Sequence, residues 1–257
     1  MESEYFIFDN VKSTDMDIYI IRMDSSLAKS PFFGGQGIEE KQTRSRIAPY
    51  HFGTQKEPIQ FTLQISPVDK KWTPQLRNKI GRWLIHDVYK PFQTSDDMGK
   101  YYYAICTEAP DFELANTLGY LEMVFRTNSA YAWSPVYIEE FNLLDNIAGT
   151  IIELENMSNV LKYYYPKMEI EIIEGTTEIN IENLSDGGRI FRFDGLVGNE
   201  VISIDNENEI MITANPIHDN IFSKFNRNWL RLVYGVNRLK ITGNCKLKFK
   251  LQFPILQ

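Results

Sequence analysis

From Cys245 to Phe253 the chain alternates without a break. Cys245, Leu247, Phe249, Leu251 and Phe253 fall on one side, and Lys246, Lys248, Lys250 and Gln252 on the other. Only a β-strand has a period of two, so this stretch belongs in a sheet with one apolar and one wet face. The signature recurs throughout. In the first half YFIFD (5–9), MDIYIIRM (16–23), PIQFTLQIS (58–66), YYYAICTE (101–108) and TLGYLEMVFRT (117–127) read as strands. In the second half the strand set is 151–154, 168–174, 177–183, 189–195, 200–205, 209–213, 229–233, 237–242 and 246–253. Turn chemistry separates them, at Glu174-Gly175, Asp186-Gly187-Gly188, Gly198-Asn199, Asp205 to Asn208 and Gly243-Asn244. Short strands at this spacing indicate an all-β sandwich.

Two segments depart from the alternation. Leu76, Ile80, Trp83, Leu84 and Val88 recur at helical spacing, with Thr73 placed to cap and Pro74 at the first helical position. This predicts one helix over 73–90, stopped by Pro91. Between Ser25 and Lys56 no period is visible, and four Gly and two Pro are scattered among charges. A stretch of that length is long for a connection inside a compact domain. Residues 29–56 are therefore expected to form an arm ordered against a neighbouring chain, with Phe32, Phe33, Ile47 and Phe52 as its apolar contacts. Pro135 and the loop expected after it mark a boundary between domains at 1–135 and 136–257.

Motifs for chemistry are missing. His51, His86 and His218 are isolated, and His86 has no second ligand one helical turn on, so no metal site is expected. Cys106 and Cys245 lie far apart, outside any paired motif, and read as buried thiols of a reducing compartment rather than a disulfide. There is no nucleophile elbow and no nucleotide-binding loop. FGGQG (33–37) is glycine-rich but is followed by no helix. Asp205 to Glu209 resembles a calcium loop in composition alone, lacking its central Gly, and reads as a solvated hairpin turn. Acidic residues are plentiful, but abundance does not make a glycosidase pair. The N-terminus lacks a basic, apolar leader and no window reaches a membrane-spanning length, so a protein made in a cytoplasm is expected. We expect no catalytic, metal or cofactor-binding residue and no enzyme activity.

The ordered set of motifs resembles the distal tail protein family of long-tailed, non-contractile phages. The features are the FIFDN and DMDIYI strand pair, the irregular 25–56 segment, IQFTLQIS, the helix TPQLRNKIGRWLI, YYYAICTE, GYLEMVFRT and SAYAWSP (129–135). In the second half they are Tyr234-Gly235-Val236-Asn237, then Thr242-Gly243-Asn244, then KLKFKLQF. The resemblance implies a mainly β protein with one helix. Its N-terminal domain would be barrel- or sandwich-like, and its C-terminal domain a galectin-like, carbohydrate-module-like β-sandwich. It further implies a homo-oligomeric ring of six at the virion's tail tip, synthesised in the host bacterial cytoplasm. Its partners would be the tail tube protein and a fibre or receptor-binding protein, with DNA passing through the lumen at most.

The lysine face fits this reading better than a nucleic-acid surface does. The chain carries net charge −7, opposite to the footprint of a phosphate-binding protein. Between Met168 and Thr213 there are eleven Asp or Glu and only two Arg. Strands 168–173 and 177–183 place Glu169, Glu171, Glu178 and Glu182 on outer faces. Opposite charges across a strand pair stabilise it, so the lysines are predicted to lie beside one of these strands. An alternative from another class is carbohydrate binding at the host surface. That needs exposed rings clustered on a concave face, and the candidates are Tyr163, Tyr164, Tyr165 and Trp229, the last expected in the core.

Overall fold

The structure is a computed structural model that describes residues 4–25, 35–69, 71–108, 112–115, 118–213 and 220–256. It divides into two compact units. One comprises Met1–Ser134 with Ile255–Gln257, the other Pro135–Pro254.

In chain order the first unit contains β1 (Phe6–Phe8), β2 (Val11–Lys12), β3 (Ile18–Ser25), β4 (Gln36–Lys41), β5 (Tyr50–Lys56) and β6 (Gln60–Pro67). These are followed by α1 (Pro74–Leu84), β7 (Lys90–Thr94), β8 (Tyr102–Glu108), β9 (Phe112–Ala115), β10 (Leu118–Thr127) and β11 (Ala132–Trp133). Among the described residues the main sheet runs β2-β1-β7-β8-β10-β6-β3, with β9 on β10. The inward residues of the alternating strands build an aromatic core. Phe61 stacks on Phe125 at 5.4 Å and meets Phe92 at 4.9 Å, while Phe6 stacks on Trp83 of the helix at 5.3 Å. Burying rings of this size supplies much of a small domain's stability. Two buried indoles of the unit also find a carbonyl: Trp83 Nε1 donates to Phe8 at 2.9 Å and Trp72 Nε1 to Gly119 at 3.0 Å.

The helix begins as predicted, with Thr73 Oγ1 accepting from the Leu76 amide at 3.1 Å and Pro74 in the first turn. It does not reach residue 90. It ends at Leu84, and Ile85 is already extended at φ −100°, ψ 112°. Lys90 and Pro91 are claimed by β7, where Pro91 lies opposite Tyr103 and its carbonyl accepts from the Asp9 amide. A residue before proline avoids the helical region, and five residues are used to turn the chain into that strand. Val88 is consequently 59% exposed instead of joining the apolar face. His86 sits past the helix end, its Nε2 against the Trp83 carbonyl at 2.9 Å.

The second unit holds β12 (Tyr137–Leu143), β13 (Thr150–Asn156), β14 (Lys167–Ile172), β15 (Glu178–Asn183) and β16 (Arg189–Asp194). Then come β17 (Val201–Asp205), β18 (Ile210–Thr213), β19 (Gly235–Thr242) and β20 (Cys245–Leu251); the last strand, β21 (Pro254–Ile255), straddles the division between the units. Two sheets face each other, β12-β20-β14-β17-β18 and β13-β19-β15-β16, over a core that includes Ile170, Ile181, Phe191, Phe193, Leu239 and Phe249. The residues after Pro135, expected as a loop, form β12 instead. As an edge strand it buries only Leu143 fully, so its alternation is faint in the sequence.

Residues 229–233, expected as a strand, are not one. Leu232 makes a single bridge to Tyr164, and several of the segment's other backbone groups are met by side chains. Asn206 Oδ1 accepts from the Leu230 amide at 2.9 Å, Asn183 Nδ2 donates to the Arg231 carbonyl at 2.9 Å, and Arg189 Nε donates to the Trp229 carbonyl at 3.3 Å. Buried backbone polar groups must be paired, and here amides replace a neighbouring strand. Asn237 explains the Gly-x-Asn pattern. Its side chain donates to Val233 and Gly235 carbonyls at 2.8 and 2.9 Å and accepts from the Val233 amide at 2.9 Å, over Gly235 at φ +81°.

Gly243 is required for two reasons. Its φ is +104°, and a Cβ there would stand 2.4 Å from the Glu178 carbonyl oxygen. Gly243→Ala is expected to destabilise the second unit by about 2–4 kcal/mol, strain and overpacking together, read as a lower urea midpoint. An unchanged midpoint would show that the β19–β20 turn relaxes freely.

Candidate assembly surfaces

Residues 36–56 form an antiparallel hairpin of β4 on β5, which corrects the expectation of an irregular arm for the described part of 29–56; Phe32 and Phe33 lie outside the described residues. The period is hidden because neither face is apolar, and a bulge between Glu39 and Glu40 shifts the register midway. The two strands pair only with each other among the described residues. No hairpin residue is buried: Ile38 is 64% exposed, Phe52 69%, and Ile47 at the turn wholly so. The Glu57 amide donates to the Gly35 carbonyl at 2.8 Å and closes the base. Isolated two-stranded hairpins are marginally stable in water.

The lysine strand lies where the charge argument put it. β20 sits between β12 and β14, burying Leu247, Phe249 and Leu251 and exposing Lys246, Lys248 and Lys250. Lys246 Nζ reaches Glu171 at 2.7 Å and Lys248 Nζ reaches Glu140 at 2.7 Å. The hydrogen bond to Glu140, helped by the charges of Glu140 and Glu169, raises the Lys248 ammonium above its ordinary range. Lys250 breaks the pattern. It stands directly opposite Lys167, which is itself paired with Asp205 at 2.6 Å. Burial works to raise the Asp205 carboxyl, but Lys167 and Asn208 outweigh it and hold the group below the usual carboxylate range. Like charges directly opposite weaken a strand pair. Lys250→Glu is therefore expected to raise the thermal midpoint slightly, and a lower one would show that Lys250 has a favourable partner.

On the second unit a cavity of about 660 Å³ is lined by Val160, Leu161, Lys162, Tyr163, Tyr165 and Tyr234, among others. Arg231 lies over the Tyr163 ring at 3.7 Å and is anchored by Asp186 at 2.7 Å. The structure thus gathers two of the three consecutive tyrosines with Tyr234, which sequence reasoning missed because it lies far along the chain. Tyr164 points elsewhere, its ring 4.8 Å from Phe253 and its hydroxyl accepting from the Gln252 amide; burial pushes that hydroxyl up to about 12. Trp229 packs in the core, 6% exposed.

The remaining polar candidates stay apart. Cys106 is half-buried and Cys245 buried, both free, and burial pushes the Cys245 thiol up to about 12. Asp205 to Glu209 form the β17–β18 turn, with Asp205 opposite Ile210. Among the described residues no group of His, Cys, Asp or Glu is placed to hold a metal, and no helix is long and apolar enough to cross a membrane.

Comparison with known proteins gives these surfaces a context. A sequence model described as the phage tail protein N-terminal domain matches residues 1–129, and one described as the phage tail C-terminal domain matches 131–251. The chain belongs to this family of phage tail proteins. The tail protein is 25% identical over 259 residues to the SPbeta prophage-derived uncharacterized protein YomH of Bacillus subtilis (strain 168), covering 99% of each. Its fold is similar to that of SPP1 Dit (gp 19.1), with TM-score 0.70, 14% identity, and coverage of 98% of this chain and 100% of that one. A chain of the phage P2 baseplate in its activated conformation is similar at TM-score 0.53 and 12% identity, covering 98% of each. The mostly β fold with one helix is thus shared along the whole chain.

Proposed function

We propose that the protein is a structural hub of a phage tail tip. Copies would assemble head to tail into a closed ring, six as the resemblance implies, joining the tail tube to the baseplate or fibre. The second unit would serve as a platform for attaching further tail proteins. The observation that carries this reading is the full-length likeness to SPP1 Dit, a protein described as a paradigm of the hub adsorption apparatus in phages infecting Gram-positive bacteria. The hairpin supports it, since a head-to-tail ring needs two different complementary patches on each copy, and the hairpin is an exposed surface that pairs with no other strand among the described residues. The net charge of −7 suits a lumen that passes DNA without holding it.

Electron microscopy and light scattering of the full chain test the proposal. Six chains of 30.0 kDa give about 180 kDa, with a central hole on the grid. A monomer at every concentration, also when mixed with the neighbouring tail proteins, would overturn it. A second reading, saccharide binding at the host surface, is favoured by one observation: Tyr163, Tyr165 and Tyr234 line a single concave surface. Titration calorimetry with cell-wall saccharides tests it, and absence of heat at millimolar sugar would remove it.

A further inference from the structure

We propose that the outer face of the sheet β12-β20-β14-β17-β18 docks an acidic, apolar-sided segment of another tail protein, with Lys250 as the charge that receives it. This rests on the platform reading above and names the face and the chemistry of the attachment. The register lays the outward side chains in rows. Across the five strands Ile138, Lys250, Lys167, Asp205 and Ile210 are opposed in turn. Asp205 answers Lys167, but Lys250 is exposed and has no ion-pair partner among the described residues. The other cations of these faces are matched: Lys246 and Lys248 reach Glu171 and Glu140, and on the second sheet Arg192 and Arg238 reach Asp194 and Glu153. Two lysines directly opposed weaken the strand pair. Positions that break a local rule at a cost in stability concentrate where a surface has another use.

A second departure lies on the same face. A sheet with one wet side normally turns polar residues outward. On β18 the outward residues are Ile210 and Ile212, 52% and 65% exposed. A recess of about 380 Å³ is lined by both, with Ser203, its smallest side chain, between them and Lys248 and Lys250 on β20. Strands stand about 4.8 Å apart, so the apolar side is roughly 14 Å from the cationic side, a span an extended chain covers in about four residues. The segment that fits carries a carboxylate and an apolar side chain at that separation. The sign of the charge selects it: a carboxylate relieves the repulsion of Lys250 and Lys167, and a basic segment adds to it. A phosphate backbone would leave Ile210 and Ile212 in water and meet a chain of net charge −7.

The experiment mixes the full chain with each purified neighbouring tail protein in turn and reads complex formation by analytical ultracentrifugation. At least one complex is expected to form with the wild type and with Lys250→Arg. Lys250→Glu is expected to weaken that complex by about tenfold or more. Ile210→Ser/Ile212→Ser should weaken it too. Because Lys250→Glu removes a repulsion, its thermal midpoint should not fall, so its lost binding cannot be read as unfolding. Lys162→Glu makes the same charge change at an exposed position elsewhere on the unit and should bind as the wild type does. The proposal is overturned if every complex of the wild type survives Lys250→Glu, or if Lys162→Glu weakens the sensitive one equally. A DNA fragment bound through Lys250, with no tail protein bound there, would assign the face to nucleic acid and overturn it likewise. Ring mass is read on the same samples. A ring that binds no tail protein through Lys250 removes the docking face and leaves the hub. A Lys250-dependent complex on a chain that never closes into a ring upholds the face and removes the ring.

Discussion

Replacing residues 37–55 by an Asn-Gly turn is expected to give a folded monomer that forms no ring. Gln36 and Lys56 are already opposite each other in the β4–β5 register, so a two-residue turn joins them without strain. The excised residues contribute nothing buried and no ladder to the main sheet. Lys56, which lies over the Tyr131 ring at 4.9 Å, is retained. The thermal midpoint should therefore hold while the mass by light scattering drops to that of one chain. A collapse of the midpoint would place the hairpin in the first unit's core and remove it as an assembly element.

The second large effect is expected at Phe249. The side chain is wholly buried at the middle of β20, between β12 and β14, with Met168 opposite and Phe141 edge-on at 6.2 Å. Phe249→Ala leaves a cavity bordered on both sides by paired strands that cannot close in, and should cost about 3–5 kcal/mol in urea unfolding of the second unit. The register offers no escape. A shift by one residue would carry Lys246, Lys248 and Lys250 into the core, where unpaired charges cost far more than the cavity. A loss below about 1 kcal/mol would mean that the sheet repacks around the gap. Lys248→Ala, on the opposite face of the same strand, removes an exposed pair and should leave the midpoint unmoved.

The contrast between these faces shows what the sequence made legible. Strands with one buried face, such as β6, β14, β15 and β20, carry a strict period of two, and each lies where that period put it. The elements that were missed are those whose burial does not alternate. In β12 only its last residue is fully buried, and in β4 none is. Residues 229–233 err the other way. Trp229, Leu230 and Leu232 are buried, yet among the described residues no strand runs beside them, because side-chain amides distant in sequence supply pairing. The helix end was misplaced because Pro91 was read as a stop signal, when it is a strand residue bonded to Asp9 through its carbonyl. Of the candidate surfaces, the lysine face was readable from charge alternation, and Tyr163 and Tyr165 stood out as part of a run. Tyr234 and the opposition of Lys250 to Lys167 depend on which strands become neighbours, which no local pattern encodes.

The asparagine clamps around residues 229–233 have a consequence for the timescales of opening. Amides in a ladder are released from exchange together, when a whole strand separates. The Leu230 and Val233 amides are instead held by Asn206 Oδ1 and Asn237 Oδ1. One side-chain rotation frees either of them without disturbing a strand. Their exchange with deuterium would then follow the rotamer motion of a single residue, at rates set apart from those of β19 and β20 on either side of the Gly243 turn.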